Sequence, residues 1–218
     1  MVITRGPGHS QREEGLAPSN TGVTGNYLSV ARGIMTAPPF TLACWGYLAT
    51  TTVSYTLLAL SDGPANNYFT LDVSDVTAGT VVATTSDNNT LATTTTTFAA
   101  NTWVHACGVW KASNSRAVFL DAGGKGTDAT NSTISGINLW EIGTLINTFG
   151  PLDGRIAHVC IWNVAKTDDE VAEMYAPETR WELYYRLGMK MYSFPSQLAF
   201  PGGDEGAVWY VPLQAEAA

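Results

Sequence analysis

Short apolar runs of strand length, each closed by a turn signal, recur along most of this 218-residue chain and point to a layered β-fold. Residues 41–48 are apolar on both alternating faces, the pattern of a strand buried on two sides. Residues 53–60 follow and are closed by Ser61-Asp62-Gly63-Pro64, and Tyr68-Phe69-Thr70-Leu71-Asp72-Val73 is the next strand expected. Residues 79–98 are dominated by threonine, whose β-branch restricts χ1 and favours strands. They predict two exposed strands joined near Asp87-Asn88-Asn89. Residues 103–110 and 116–121 predict a hairpin turning between Ala112 and Ser115. Gly123-Gly124-Lys125-Gly126 reads as a turn, and strands are expected again from Leu139 to Ile142 and from Gly154 to Trp162. One helix is expected. Thr167 suits an N-cap, Glu170 three residues on completes a capping box, and Val171, Met174 and Tyr175 form an apolar stripe.

Composition narrows the functional classes. The chain is 45% apolar and 14% charged, enough for a packed core. Its net charge is −8 and no cluster of Lys or Arg occurs, so an electrostatic grip on nucleic acid or anionic lipid is not expected. No run of eighteen apolar residues predicts a membrane span, and the opening residues lack the apolar stretch of a signal peptide. The expectation is a protein made without ordinary secretion. Cys44, Cys107 and Cys160 sit inside apolar runs, an odd number with no C-x-x-C, and read as small buried hydrophobes. His9, His105 and His158 show no paired ligand spacing, so no metal site is predicted from them.

Organisation follows from the same patterns. Residues 1–25 are polar and rich in Gly, Pro and Ser, and read as an extended N-terminal arm that would need something to hold it. Residues 26–176 form the domain. Residues 177–218 form a C-terminal extension with the aromatic segment Arg180-Trp181-Glu182-Leu183-Tyr184-Tyr185-Arg186. Trp181, Tyr184, Tyr185 and Trp209 either pack back on the domain or serve as assembly contacts, since such residues are enriched at interface hot spots.

Four segments carry a resemblance. Phe40-Thr41-Leu42-Ala43-Cys44-Trp45 resembles the first core strand of the laminin-G-like jelly rolls within the concanavalin A-like lectin/glucanase group. Asn101-Thr102-Trp103-Val104-His105 resembles that family's Trp-x-His segment. Val118-Phe119-Leu120-Asp121 resembles its strand ending in Asp/Asn-Gly, although Ala122 intervenes here. Ile142-Gly143, then the stretch from Leu152 to Asn163, then Ala165 to Val171, resembles its closing strand and acid-capped helix. The resemblance implies an all-β fold, a two-sheet antiparallel jelly-roll sandwich with one short helix. The segment after Pro177 is similar to the tails of laminin-G-like proteins of tailed bacteriophages, which implies a structural virion component, in the head or the tail.

Such folds also host glycoside hydrolases, whose strand motif sets alternate carboxylates on one face. No such run occurs here, so no enzyme and no catalytic residue is expected. Gly123 to Thr127 lacks the spacing of a phosphate loop, and His105, in a core strand, reads as structural rather than as a base. Some relatives of this fold hold Ca²⁺ at the rim. Asp62, Asp72, Asp87, Asp121, Asp128 and Asp153 are the rim candidates, and none forms an oxygen-ligand cluster in the sequence, so no cofactor is assigned. Sugar sites set aromatic platforms beside polar side chains, which nominates Tyr68 beside Asn66-Asn67, Trp140 beside Asn138 and Phe149 beside Asn147. Asn88 and Asn131 match a glycosylation pattern that reads as coincidence in a chain expected to bypass secretion. Two functions are therefore expected: a phage structural protein that assembles with itself and other virion proteins, or an extracellular lectin that binds a glycan, with or without Ca²⁺.

Overall fold

The computed structural model of the protein describes residues 27–31, 35–63, 67–87, 90–146, 150–176 and 207–210. Along them run twelve strands: β1 (Leu28–Ala31), β2 (Phe40–Leu48), β3 (Tyr55–Ser61), β4 (Tyr68–Val73), β5 (Val81–Thr85), β6 (Thr90–Thr93), β7 (Trp103–Ala112), β8 (Ser115–Leu120), β9 (Gly123–Asp128), β10 (Leu139–Ile142), β11 (Gly154–Trp162) and β12 (Ala207–Tyr210). A helix, α1 (Asp168–Tyr175), lies between β11 and β12. The first sheet has the order β1-β10-β3-β4-β5-β6 and the second β12-β11-β2-β7-β8-β9. Neighbouring strands are antiparallel throughout. This is the two-layer sandwich that the resemblance implied.

Strand parity decides which residues fill it. Successive side chains point to opposite faces, so Phe40, Leu42, Cys44 and Leu48 of β2 enter the space between the sheets. There they meet Leu58, Leu60, Phe69, Leu71 and Val73 from the first sheet and Val104, Ala106 and Trp110 from β7. The Phe40 ring stacks on Trp110, with centroids 4.9 Å apart, and meets Phe69 edge-on at 5.0 Å. Trp110 donates its indole N–H to Thr85 Oγ1 at 3.2 Å, which satisfies the polar atom of a fully buried ring. Each such large apolar side chain contributes about 1.5–3 kcal/mol when fully buried.

The opposite parity of the second sheet makes a smaller cluster outside the sandwich. Ala43, Cys107, Val109, Phe119, Cys160 and Trp162 are covered there by Val171 and Met174 of α1. The helix starts as its sequence predicts. Thr167 Oγ1 accepts from the Glu170 backbone N–H at 3.3 Å, and the Glu170 carboxylate accepts from the Thr167 N–H at 2.7 Å.

Two expectations are corrected. The threonine strands are not both exposed: every residue of β5 is buried, as are Thr90, Ala92 and Thr94. The glycines at 123–126 are not a turn but the first residues of β9. The two corrections share a cause. The edges of the two sheets meet where β6 runs into the threonine segment beside β9, and Thr95 N–H donates to Gly124 O at 2.8 Å. A Cβ on Gly126 would stand 1.8 Å from Thr93 O, so only glycine lets the backbones approach this closely.

At the other edge of the second sheet, β12 pairs with β11 in the register Cys160↔Tyr210 and Ile161↔Trp209. Part of the C-terminal extension therefore returns to the sandwich, and Trp209 lies within that strand. Trp181, Tyr184 and Tyr185 and the arm 1–25 lie outside the described residues. Among the described residues no helix is long and apolar enough to cross a membrane.

Candidate functional site

The site follows from what α1 leaves uncovered. On the outer face of the second sheet, Arg155, Tyr47 and Trp103 are register partners across β11, β2 and β7 and form one row. Two residues along, Ala157, Trp45 and His105 form the next row on the same face. Cys160, Ala43 and Cys107 come after that and lie beneath the helix. The end of α1 thus falls over the middle row. Tyr175 stacks on Trp45 with centroids 5.7 Å apart and planes 14° apart, and Trp45 in turn lies 5.5 Å from His105. The first row is open. Trp103 is 43% exposed, its ring 5.7 Å from that of Tyr47, and the Arg155 guanidinium sits 5.6 Å from the Tyr47 centroid. Asn101, in the loop before β7, faces the Tyr47 hydroxyl at 3.5 Å. The result is a shelf with two aromatic rings, a cation and an amide at the end of the sandwich.

The residues nominated from the sequence fall elsewhere. Trp140 is 1% exposed and packs in the inter-sheet core, so its ring offers no face to a ligand; burial corrects that assignment. Tyr68 is half-buried at the start of β4, on the first sheet and away from the shelf. Phe149 lies outside the described residues. Tyr47, Trp103 and Arg155 were missed because alternation assigns a residue to a face but does not say which part of that face a helix covers.

Four of the rim carboxylates are engaged locally. Asp62 accepts from Asn67 Nδ2 at 2.8 Å, Asp121 accepts from the His105 N–H at 2.8 Å, and Asp128 is ion-paired with Arg116. Asp87 accepts from the Thr133 N–H at 2.5 Å. Among the described residues no three His, Cys, Asp or Glu stand together as a metal site would require. Asp72 is distinctive on the outer face of the first sheet. Its Oδ2 accepts from Thr70 and Thr84, and burial pushes its pKa up to about 6 despite hydrogen bonds from the threonines around it. His105 is buried, at 2% exposure.

The similarities to known proteins agree with this architecture. Residues 21–172 match the family profile described as the concanavalin A-like lectin/glucanases superfamily. No curated protein matches the chain in sequence. Among solved structures, the fold is similar to domain 4 of AbnA, an extracellular arabinanase of Geobacillus stearothermophilus, in complex with arabinotriose. The TM-score is 0.59 at 17% identity, over 69% of this chain and 72% of that one. It is also similar to CBM40 of the Ruminococcus gnavus IT-sialidase bound to α2,3 sialyllactose, with a TM-score of 0.56 at 15% identity over 65% and 84% of the two chains. A third similar structure is the heptameric SAP-like pentraxin of Limulus polyphemus, with a TM-score of 0.52 at 13% identity over 69% and 75%. At these identities the likeness is one of fold, and with the profile match over most of the domain it has one consequence: the chain belongs to the concanavalin A-like lectin/glucanases superfamily.

Proposed function

We propose that the protein is a non-catalytic glycan-binding domain that holds a short oligosaccharide on the Arg155–Tyr47–Trp103 row. The observation that carries this is the exposed Trp103 indole, register-paired with Tyr47 and left open by α1. Sugar rings present apolar C–H faces that pack on aromatic rings, and hydroxyls that take hydrogen bonds at the edge. Arg155, Asn101 and the Tyr47 hydroxyl stand where those hydrogen bonds are needed. Two strand spacings separate Arg155 from Trp103, about 10 Å, the scale of a short oligosaccharide. Two similar folds were solved with arabinotriose and sialyllactose, which supports the reading by analogy. No carboxylate lies on the row, which supports binding rather than hydrolysis. A glycan array probed with the wild-type protein and with Trp103→Ala tests it. Hits that vanish in the variant are expected; no hits, or hits unchanged by the substitution, would reject it.

A second reading is a structural component of a phage virion, supported by the resemblance of the tail and by one structural observation. At the same end of the sandwich Val53 is 49% and Val76 91% exposed, on loops joined by the Gly79 N–H donating to Thr51 O. Exposed valines on linked loops suit a protein contact. Sedimentation velocity separates the readings: a defined oligomer dissociated by Val53→Ser with Val76→Ser supports assembly, and a monomer at high concentration counts against self-association.

A further inference from the structure

We infer that the chain assembles head to tail with a second copy of itself, the exposed Val76 of one copy seated in a cavity of about 350 Å³ on the next. This rests on the assembly reading above and names the surface that the valine loop meets.

The knob is a braced turn. Val76 is 91% exposed, more than any other large apolar side chain among the described residues. It lies in the loop between β4 and β5. There the Ser74 N–H donates to Thr80 O at 3.0 Å, the Val76 N–H to Ser74 Oγ at 3.1 Å and the Thr80 N–H to Thr77 O at 3.1 Å. A turn held in this way has little freedom left to lose on docking.

The hole lies at the other end of the same strand. Phe69, near the start of β4, lines the cavity, and Ser74 follows the end of that strand five residues on, about 17 Å away. Phe69, Trp110 and Ile134 form its buried floor, and Pro38 and Ala112 its half-buried mouth. An apolar cavity of about 150 Å³ already holds a benzene ring, so this one has room for a valine side chain and part of its turn.

Charge matches as well as shape. Asp75 precedes Val76 and is exposed, and Lys111 lines the cavity and is exposed. Arg116, also in the lining, is committed to Asp128 and to the carbonyls of Ser113 and Thr130. Neither Asp75 nor Lys111 is paired with another described residue. The loop therefore brings a carboxylate next to its valine, and the cavity sets an ammonium beside its apolar floor. Knob and hole are different surfaces, so a docked copy still offers one of each. Such a contact closes as a ring or runs on as a filament, whereas valine against valine would stop at a two-fold dimer.

Sedimentation velocity of the whole protein, with Val76→Lys and Ala112→Trp studied alone and mixed, tests this. Wild type is expected to form species larger than a dimer. Each variant alone is expected to associate more weakly by about tenfold or more. An equimolar mixture should give a dimer that grows no further, because the intact valine of one variant meets the intact cavity of the other. Asp75→Lys and Lys111→Glu, both at exposed positions, serve if Ala112→Trp unfolds: each should weaken association, and the double variant should restore it. A monomeric wild type overturns the inference together with the assembly reading. A wild type that stops at a dimer, an oligomer lost with Val76→Lys but unchanged by Ala112→Trp, or a mixture without the dimer overturns the inference alone and leaves the assembly reading standing.

Discussion

Tyr47 and Trp103 are register partners in the β2–β7 pairing, and their rings stand 5.7 Å apart at 55° on a face that α1 begins to cover one row further along. The same strand, β7, carries Trp110 into the core from its opposite parity and far end. One strand thus holds one indole for contact and another for stability.

That division predicts opposite outcomes for the two tryptophans. Trp103→Ala should change unfolding free energy by no more than about 0.5 kcal/mol, as exposed positions do. Trp110→Ala should cost about 3–5 kcal/mol through the cavity it leaves between Phe40 and Phe69. Urea denaturation of the two variants against wild type measures both.

The edge between β6 and β9 predicts a large effect from a single methyl group. Gly126→Ala would set its Cβ against Thr93 O, which backbone cannot evade cheaply, and should lower stability by several kcal/mol. Ala122→Gly should act in the opposite sense. Ala122 has φ +58°, in the left-handed region, where a side chain costs about 1–2 kcal/mol, so the substitution should raise the melting temperature by a few degrees. Thermal unfolding reads both signs.

Asp72 predicts a pH dependence. Its pKa is raised to about 6 by burial, so the folded state holds this proton more tightly than the unfolded chain does. The stability it confers is fully present below about pH 4, where the unfolded carboxyl is also protonated, and is lost as pH rises through about 6. Its contribution amounts to on the order of 2 kcal/mol between pH 4 and pH 7. In Asp72→Asn that part of the slope should disappear. Chemical denaturation across this range in both proteins tests it, and a wild-type curve unchanged by the substitution would show that the carboxyl is not responsible.

The cysteines should be inert in the folded protein. Cys44, Cys107 and Cys160 are all buried, and burial pushes the Cys44 and Cys107 thiols up, with the neighbouring cysteines adding in the same direction. A thiol reagent at neutral pH should label none of them until denaturant is added. Mass spectrometry counts the labels.

Much of the frame was legible because local chemistry decides it. The expected bounds of β4, β10 and β11 match the observed strands, since alternation and flanking turn residues mark both ends. Thr167 and Glu170 sufficed for the start of α1, because a capping box is complete within four residues. β9 was illegible because glycine has no side chain to alternate, and its role depends on Thr93, which is distant in sequence. The threonines of β5 read as exposed by polarity, yet Thr85 turns inward to take the Trp110 indole N–H. The candidate site was illegible for a related reason. Trp140 and Trp103 both sit on strands, and what separates a core ring from a platform is whether another layer lies over it.

The proposed glycan site lies on the outer face of the second sheet, against Trp103. A crystal structure of the protein with an array-selected oligosaccharide tests it most directly. A sugar ring packed on the Trp103 indole, with hydroxyls hydrogen-bonded to Arg155 or Asn101, is the predicted result. A sugar bound elsewhere on the sandwich, with the Arg155–Tyr47–Trp103 row bare, would contradict it.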